Sequence, residues 1–139
     1  MKIQSYLFFD GRCDEALEFY RKALGAEVKF LMRNRDAPDQ PPPGMLPPGS
    51  GDKVMHAEFR IGDTDLMASD GHCLGKPSFQ GVSLSLTVPD EAHAERCFAA
   101  LAEGGQVQMP LGKTFFSPRF GMLTDRFGVP WMVYVAPPG

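Results

Sequence analysis

An α+β fold, with a β-α-β-β-β module occurring twice, is predicted by three features of this sequence. Apolar and polar residues alternate along several short segments, which is typical of half-buried strands. Two longer segments carry apolar residues at helical spacing. The same order of elements returns after about eighty residues and places Phe19 on Phe98, so the chain is expected to be an internal duplication.

The length and composition are those of a single domain, residues 1–139, made of repeats at about 1–70 and 81–139. A chain of 139 residues can bury a hydrophobic core without disulfides or a structural metal. Its net charge of −3 comes from interspersed acidic and basic residues, so we expect neither a nucleic-acid partner nor a membrane partner. No apolar run is long enough to cross a bilayer, and the N-terminal residues lead directly into a strand pattern, so we expect no export.

The cysteines indicate a reducing compartment. Cys13, Cys73 and Cys97 are odd in number, widely spaced and form no C-x-x-C pair. We therefore expect a cytoplasmic protein.

In the first repeat a strand, a helix and three further strands are predicted. Their ranges are 2–9, 14–24 for the helix, 27–33, 53–61 and 64–69. The helix is indicated by the spacing of Ala16, Leu17 and Tyr20, and Gly25 is a plausible C-terminal stop. Residues 36–52 are so rich in Pro and Gly that we expect a loop without regular structure, either a lid or a disordered segment.

The second repeat follows the same order. It comprises a strand at 82–88, a helix opened by Pro89-Asp90-Glu91, and strands at 106–109, 119–124 and 130–136. The predicted buried stripe of this helix is Ala94, Cys97, Phe98 and Leu101, and Gly104-Gly105 ends it.

One predicted strand carries a row of ionisable residues. His56, Glu58 and Arg60 alternate with the apolar set Met55, Ala57, Phe59 and Ile61, so one face is expected to be core and the other polar. The polar row either lines a ligand cleft, as an acid–base or oxyanion-binding set, or is an ordinary solvated strand face.

Further candidates for ligand contact are a phenol, two hydroxyls and an indole, contributed by Tyr6, Ser83, Ser85 and Trp131. Tyr6 could donate to a bound carbonyl or be a packed aromatic, and the serines could decorate a solvated strand. Trp131, with Phe115-Phe116 and Met45-Leu46, could wall an apolar pocket or be core or a dimer contact.

The cysteine and remaining histidine candidates have plainer interpretations. Cys13 lies near the start of the first helix, where the helix dipole lowers a thiol pKa, but it is equally a small structural residue. Cys73 follows His72 in a linker that is unsuited to fixed geometry. Cys97 is expected in the core and His93 in solvent.

Three segments together resemble a known family. Residues 11–25 (GRCDEALEFYRKALG) and 120–131 (FGMLTDRFGVPW) resemble the vicinal oxygen chelate superfamily of glyoxalase I, bleomycin-resistance proteins and extradiol dioxygenases. Residues 52–63 (DKVMHAEFRIGD) are similar to its PhnB-like branch, often labelled demethylubiquinone methyltransferase. The resemblance implies a curved, partly open barrel-like sheet, a ligand cleft lined by the sheet face away from the helices, and a homodimer.

Enzymes of this superfamily hold a divalent metal with four side chains, from the first and last strand of each half. Those positions fall on Ser5, near Met67, on Ser83 or its neighbours, and near Met132. Hydroxyls and thioethers are poor ligands for Zn, Ni, Mn or Fe(II), so we expect no metal cofactor. A new metal site on His56 and Glu58 would need partners that the sequence does not indicate.

The sequence therefore predicts a glyoxalase-like protein that binds a small molecule without the family's metal, whether as an enzyme or not. The alternatives are a resistance-type protein that sequesters its ligand without catalysis and, last, a metal-dependent lyase or dioxygenase. A methyltransferase is not expected, because no Gly-rich turn joins a strand to a helix as a nucleotide-like cofactor requires.

Overall fold

The computed structural model describes residues 1–39, 44–73 and 76–137, and the chain divides into two compact units, Met1–Pro77 and Ser78–Gly139. In the described residues each unit has one α-helix and one four-stranded mixed sheet in the order β-α-β-β-β. The α+β class and the two similar modules are thus confirmed. That both modules form a single domain stays a prediction. None of the described helices has the length and apolar character needed to span a membrane.

The first unit closely follows the predicted elements. They are β1 (Tyr6–Phe8), α1 (Cys13–Leu24), β2 (Glu27–Arg33), β3 (Val54–Ile61) and β4 (Thr64–Ser69). The sheet order is β1-β4-β3-β2; β1 runs parallel to β4 and the other pairs are antiparallel. The first strand is shorter than predicted, because pairing with β4 begins at the carbonyl of Ser5, which accepts a hydrogen bond from Met67 N–H at 3.0 Å.

Helix α1 covers one face of this sheet. Ala16, Leu17 and Tyr20 are buried, and the Tyr20 ring stacks on Phe59 of β3 with centroids 6.3 Å apart. Gly25 ends the helix at φ 70°, a left-handed conformation that glycine adopts at little cost. The opposite side of the sheet, called the open face below, carries no helix of this unit.

Strand β3 has the predicted two-sided pattern, with corrections at its ends. Ala57 and Phe59 are buried under α1, but Met55 is 38 % exposed and Ile61 only half-buried. Met55 and Ile61 lie near the two ends of the strand. At the first end, Val54 is buried in place of Met55. His56, Glu58 and Arg60 project to the open face, as the alternation requires.

The loop at 36–52 is more ordered at its ends than predicted. Single 3₁₀ turns form at Asn34–Asp36 and Ser50–Asp52, so the expectation of no regular element was wrong there. The buried Asn34 side chain donates to the carbonyl of Ser50 at 2.9 Å, and its backbone N–H donates to Lys53. These bonds close the base of the loop. Residues 40–43 lie outside the described residues, so the lid interpretation stays untested.

The second unit repeats the architecture. It contains β5 (Leu84–Val88), α2 (Glu91–Ala102), β6 (Gln106–Gly112), β7 (Phe120–Thr124) and β8 (Pro130–Val135), in sheet order β5-β8-β7-β6. The side chain of Asp90 caps α2 by accepting from His93 N–H at 2.8 Å, which confirms the predicted helix start. Strand β6 runs three residues beyond its predicted end at Met109.

Helix α2 packs on its sheet through Ala94, Phe98 and Leu101, all buried. A Cβ at Gly121 of β7 would lie 2.7 Å from the Phe98 ring, so only glycine permits this close approach. The prediction that Cys97 is core was wrong: it is half-buried, at the edge of the stripe.

A buried carboxylate ties three elements of the first unit together. Asp70 follows β4 and is 0 % exposed. Its Oδ1 accepts from the backbone N–H of Gly11 at 2.9 Å and of Cys13 at 2.8 Å, and its Oδ2 accepts from Val54 N–H at 2.7 Å. Asp70 therefore caps α1 from 57 positions away in sequence and also anchors the start of β3.

We expect Asp70→Asn to lower the free energy of unfolding by about 2–3 kcal/mol, because the amide leaves one buried N–H facing another donor. Urea unfolding followed by circular dichroism measures this. The matched control is Asp63→Asn in the exposed β3–β4 turn, which should change stability by no more than about 0.5 kcal/mol. Equal effects of the two substitutions would contradict the anchoring role.

Candidate functional site

Three polar side chains meet on the open face of the first sheet. Tyr6 on β1 lies with its Oη 2.9 Å from Nδ1 of His56 on β3. The other ring nitrogen, Nε2, is 3.6 Å from Oε2 of Glu58. The imidazole therefore stands between a phenol and a carboxylate, a set we call the Tyr6–His56–Glu58 trio.

The carboxylate of Glu58 favours one position of the imidazole proton, from which we assign the tautomer. A negative charge beside Nε2 favours the tautomer with the proton on Nε2, which leaves Nδ1 as an acceptor. Tyr6 then donates its hydroxyl proton to Nδ1. The lone pairs of the phenol oxygen remain for a group outside the trio.

An apolar wall surrounds the trio. The register across the four strands aligns Tyr6, Met67, Glu58 and Phe30 in one row of the open face. The ring of Phe8 lies 4.8 Å from Tyr6, and that of Phe30 lies 6.1 Å from His56. Phe8 is 55 % exposed and Phe30 43 %, so both rings are available to a ligand.

The sequence patterns did not indicate that Phe8, Met67 and Phe30 form an apolar wall around the trio. The register that brings them together depends on a β-bulge between Val28 and Phe30. Lys29 is the extra residue, and Phe30 pairs with Glu58 because of it. Alternation alone gives the face of each strand but not this pairing.

Arg60 lies on the same face but belongs to a different ion pair. Its guanidinium donates to both carboxylate oxygens of Asp65, at 2.8 and 3.2 Å. This pairing raises the pKa of Arg60 and lowers that of Asp65. Of the predicted polar row, only His56 and Glu58 come together with Tyr6.

The remaining predicted ligand contacts belong to the second unit. Ser83 is exposed just before β5, and Ser85 is exposed on β5, paired in register with Met132 of β8. Trp131 is 3 % exposed, and its Nε1–H donates to the buried carboxylate of Asp125 at 2.9 Å. Since its indole is committed to the interior, we leave Trp131 out of the proposed ligand surface.

A separate cavity of about 390 Å³ opens in the first unit. Met45 and Leu46 line it, as expected of a pocket wall, but their partners are other residues of the first unit. The lining consists of Asn34, Ala37, Asp39, Met45, Leu46, Met55, Gly71 and His72. Asp39 and His72 are the titratable side chains among these lining residues, and neither belongs to the trio.

The cysteines do not have the properties of nucleophiles. Burial raises the pKa of the Cys13 thiol, and the charges of Asp70 and Asp14 raise it further, which favours the interpretation of Cys13 as a structural residue. Burial also raises the thiol pKa of Cys73 and of Cys97. His72 is exposed.

The inherited metal positions hold no good metal ligands. The register pairs Met67 with Tyr6 rather than with Ser5, and Met132 with Ser85 rather than with Ser83. Thioethers paired with a phenol and a hydroxyl do not fit a site for Zn, Ni, Mn or Fe(II). In the described part of the chain, no three His, Cys, Asp or Glu side chains cluster as metal ligands elsewhere.

Comparisons with known proteins place this fold and sequence among relatives of similar length. Residues 1–134 match the family described as 3-demethylubiquinone-9 3-methyltransferase. Protein YjdN of Escherichia coli K12 is 35 % identical over 142 residues, which cover 97 % of this chain and 95 % of YjdN.

Solved structures give the same result. The crystal structure of protein PA1353 from Pseudomonas aeruginosa has a TM-score of 0.84 and 45 % identity, with 98 % of each chain covered. A putative 3-demethylubiquinone-9 3-methyltransferase, PhnB protein, from Bacillus cereus has a TM-score of 0.79 and 30 % identity, covering 98 % of this chain and 100 % of its own. A glyoxylase/bleomycin resistance protein/dioxygenase domain from Frankia sp. EAN1pec, at 16 % identity and TM-score 0.62, covers 97 % of this chain and 94 % of its own and shares the fold.

We expect the Cys13 thiol to react with a maleimide at least about a hundredfold more slowly than Cys73, because it is buried and stays protonated at neutral pH. Mass spectrometry of peptides after timed labelling measures the two rates. In urea both thiols should react at similar rates. Fast labelling of Cys13 in the folded protein would contradict the interpretation of this residue as core.

Proposed function

Since this chain belongs to the 3-demethylubiquinone-9 3-methyltransferase family, the PhnB-like branch of the vicinal oxygen chelate superfamily, we propose that it binds a small organic molecule on the open face of its first sheet. The single observation that carries this is the Tyr6–His56–Glu58 trio. A phenol, an imidazole and a carboxylate are linked there beside exposed aromatic rings.

The surroundings of the trio favour a ligand with a flat apolar body and one polar group. The ring of Phe8 lies beside Tyr6, and the ring of Phe30 lies beside His56. Met67 pairs in register with Tyr6 on the same face of the sheet. Aromatic rings supply most of the binding energy in such sites, while a few polar atoms fix the orientation. The polar group of the ligand would lie at the Tyr6 hydroxyl.

Binding in this proposal needs no divalent metal. The donors at the inherited positions are Tyr6 or Ser5, Met67, Ser85 or Ser83, and Met132, a set unsuited to the family's metals. The methyl transfer named in the family's description is also left out. Its cofactor would need a Gly-rich turn between a strand and a helix, which the sequence lacks.

A sequestering protein without catalysis is the second candidate function. The exposure of Phe8 and Phe30 favours it, because an aromatic wall alone suffices to trap a ligand. The titratable trio is what an enzyme would need in addition. The two candidates differ in whether the bound molecule changes its chemical state.

We expect 4-nitroanisole, a neutral aromatic probe without a hydrogen-bond donor, to bind saturably on the aromatic wall and to shift the NMR signals of Phe8 and Phe30. Phe30→Ala should weaken this binding by about tenfold, because the ring forms part of the wall. The matched control is Phe115→Ala, which removes a fully exposed phenyl of the second unit and should leave binding unchanged. An absence of saturation, or equal effects of both substitutions, would overturn the proposed function.

We expect purified protein to contain no stoichiometric Zn, Ni, Mn or Fe and to bind 4-nitroanisole equally well with and without a chelator. Elemental analysis and the same NMR titration in EDTA test this. One tightly bound transition metal per chain, with binding lost on its removal, would contradict metal independence.

A homodimer is also proposed, as the family resemblance implies. Its support is that both sheets end in edge strands with exposed apolar side chains, Val28 on β2 and Val107 and Met109 on β6. Light scattering at tens of micromolar should give twice the chain mass, and V107K/M109K should shift the protein toward monomer. A monomeric wild type whose stability is unchanged on dilution would refute the dimer.

A further inference from the structure

We propose that the Tyr6–His56–Glu58 trio is a proton relay that takes the proton from an acidic hydroxyl of an aromatic or enolic ligand, so that the ligand is held as its anion. This inference rests on the proposed function and adds what the site does to the bound molecule. It gives each member of the trio a distinct role: Tyr6 contacts the ligand, His56 receives the proton, and Glu58 stabilises the resulting cation.

The geometry sets the direction of proton movement. With Nε2 protonated beside Glu58, the vacant lone pair of Nδ1 lies 2.9 Å from Tyr6 Oη, which is hydrogen-bonding distance. The phenol proton points along that bond toward the imidazole. The oxygen of Tyr6 is therefore an acceptor for the ligand and not a donor, unless His56 is already protonated.

The proton balance closes without any other reactant. The ligand O–H bond breaks as its proton passes to Tyr6 Oη, and the former phenol proton passes to Nδ1 of His56. The ligand retains the electron pair as an oxyanion, Tyr6 remains a neutral phenol, and His56 becomes an imidazolium. The carboxylate of Glu58, 3.6 Å from Nε2, stabilises the new positive charge.

The other charges on this face explain why the proton is needed. Arg60, which shares strand β3 with His56 and Glu58, is a permanent cation. It donates to both carboxylate oxygens of Asp65. The charges of Lys2 and Lys29 lower the pKa of Asp65, and the charges of Glu27 and Asp63 raise the pKa of Arg60. These four charged groups therefore belong to the Arg60 end of strand β3. From β2 the aromatic ring of Phe30 faces His56, and β1 contributes Tyr6. His56 lies 2.9 Å from the Tyr6 oxygen and supplies a cation beside the ligand oxygen when it takes up a proton.

The apolar wall selects the class of ligand. Phe8 and Phe30 accommodate a planar ring or conjugated system, and an acidic hydroxyl on such a system can reach the Tyr6 oxygen. A phenol or an enol meets both conditions and spreads its negative charge over the conjugated atoms. Aliphatic alcohols are excluded, because they are far weaker acids than conjugated phenols or enols and do not give up a proton to an imidazole.

The probe for this relay is 4-nitrophenol, which has the shape of 4-nitroanisole but carries an acidic hydroxyl with a coloured phenolate. Equilibrium dialysis gives the amount bound, and absorbance gives the ratio of phenolate to phenol in the bound fraction. For the wild-type protein we expect this ratio to exceed that of free probe at the same pH by about tenfold.

Variants separate the three roles. His56→Gln and Tyr6→Phe should each abolish the excess ionisation of bound 4-nitrophenol. Glu58→Gln should weaken binding of 4-nitrophenol by about tenfold, equivalent to about 1.4 kcal/mol, and leave folding intact. The matched control is His93→Gln, since His93 also pairs with a carboxylate, Asp90 at 2.8 Å, but on α2 of the second unit. It should behave as wild type, as should Cys73→Ser.

A measurement on the unmodified protein avoids any dependence on variant folding. The ¹⁵N chemical shifts of His56 should change on addition of 4-nitrophenol from one protonated nitrogen to two, and remain unchanged with 4-nitroanisole. If both probes bind but 4-nitrophenol stays un-ionised and His56 neutral, the relay is refuted and the proposed function stands. If neither probe binds, the proposed function fails and the relay fails with it.

Discussion

The first unit depends on the hydrogen bonds that the buried carboxylate of Asp70 accepts. Three backbone N–H groups donate to it, two from the start of α1 and one from the start of β3. A charged acceptor that serves three buried donors costs less to bury than an isolated charge, because its desolvation is offset by charge-assisted hydrogen bonds. It fixes the turn after β1 and the first residues of β3, which are the two strands that carry Tyr6 and His56. Asp70 thus supports the segments next to both strands, while the pairing of β1, β4 and β3 brings the two side chains together.

The two-sided sheet assigns the remaining roles. Residues of one parity pack under α1, where Tyr20 stacks on Phe59, and residues of the other parity form the open face. A solvated face tolerates ionisable side chains at low cost, and Phe8 and Phe30 add exposed aromatic rings beside them. Structural and chemical residues therefore alternate along one strand, so a substitution such as Glu58→Gln can alter the site without disturbing the core.

Most of the fold was predictable from the sequence, and about half of the candidate site. Alternation and helical spacing gave every strand and helix, because burial of an apolar face leaves a periodic record in the chain. The same alternation placed His56, Glu58 and Arg60 on one face. It gave no information on which charges would pair, and Arg60 pairs with Asp65 across the hairpin. Nor did it show that Trp131 of β8 would donate to the buried carboxylate of Asp125, six positions earlier, or that Asp70 would cap a helix 57 positions earlier. Such contacts depend on how the strands and turns pack in three dimensions, which a local sequence pattern does not show.

The bulge at Lys29 has a consequence for how this surface can change over generations. In a regular ladder Lys29 would stand opposite Glu58, and Phe30 would turn toward the helix side. Because the extra residue is accommodated by the bulge, the open face presents a phenyl ring where it would otherwise present an ammonium group. Pairing of the same residues without the bulge would therefore exchange an aromatic surface for a cationic one. Related proteins that differ in this bulge can thus differ in ligand preference, while every side chain of the trio stays the same.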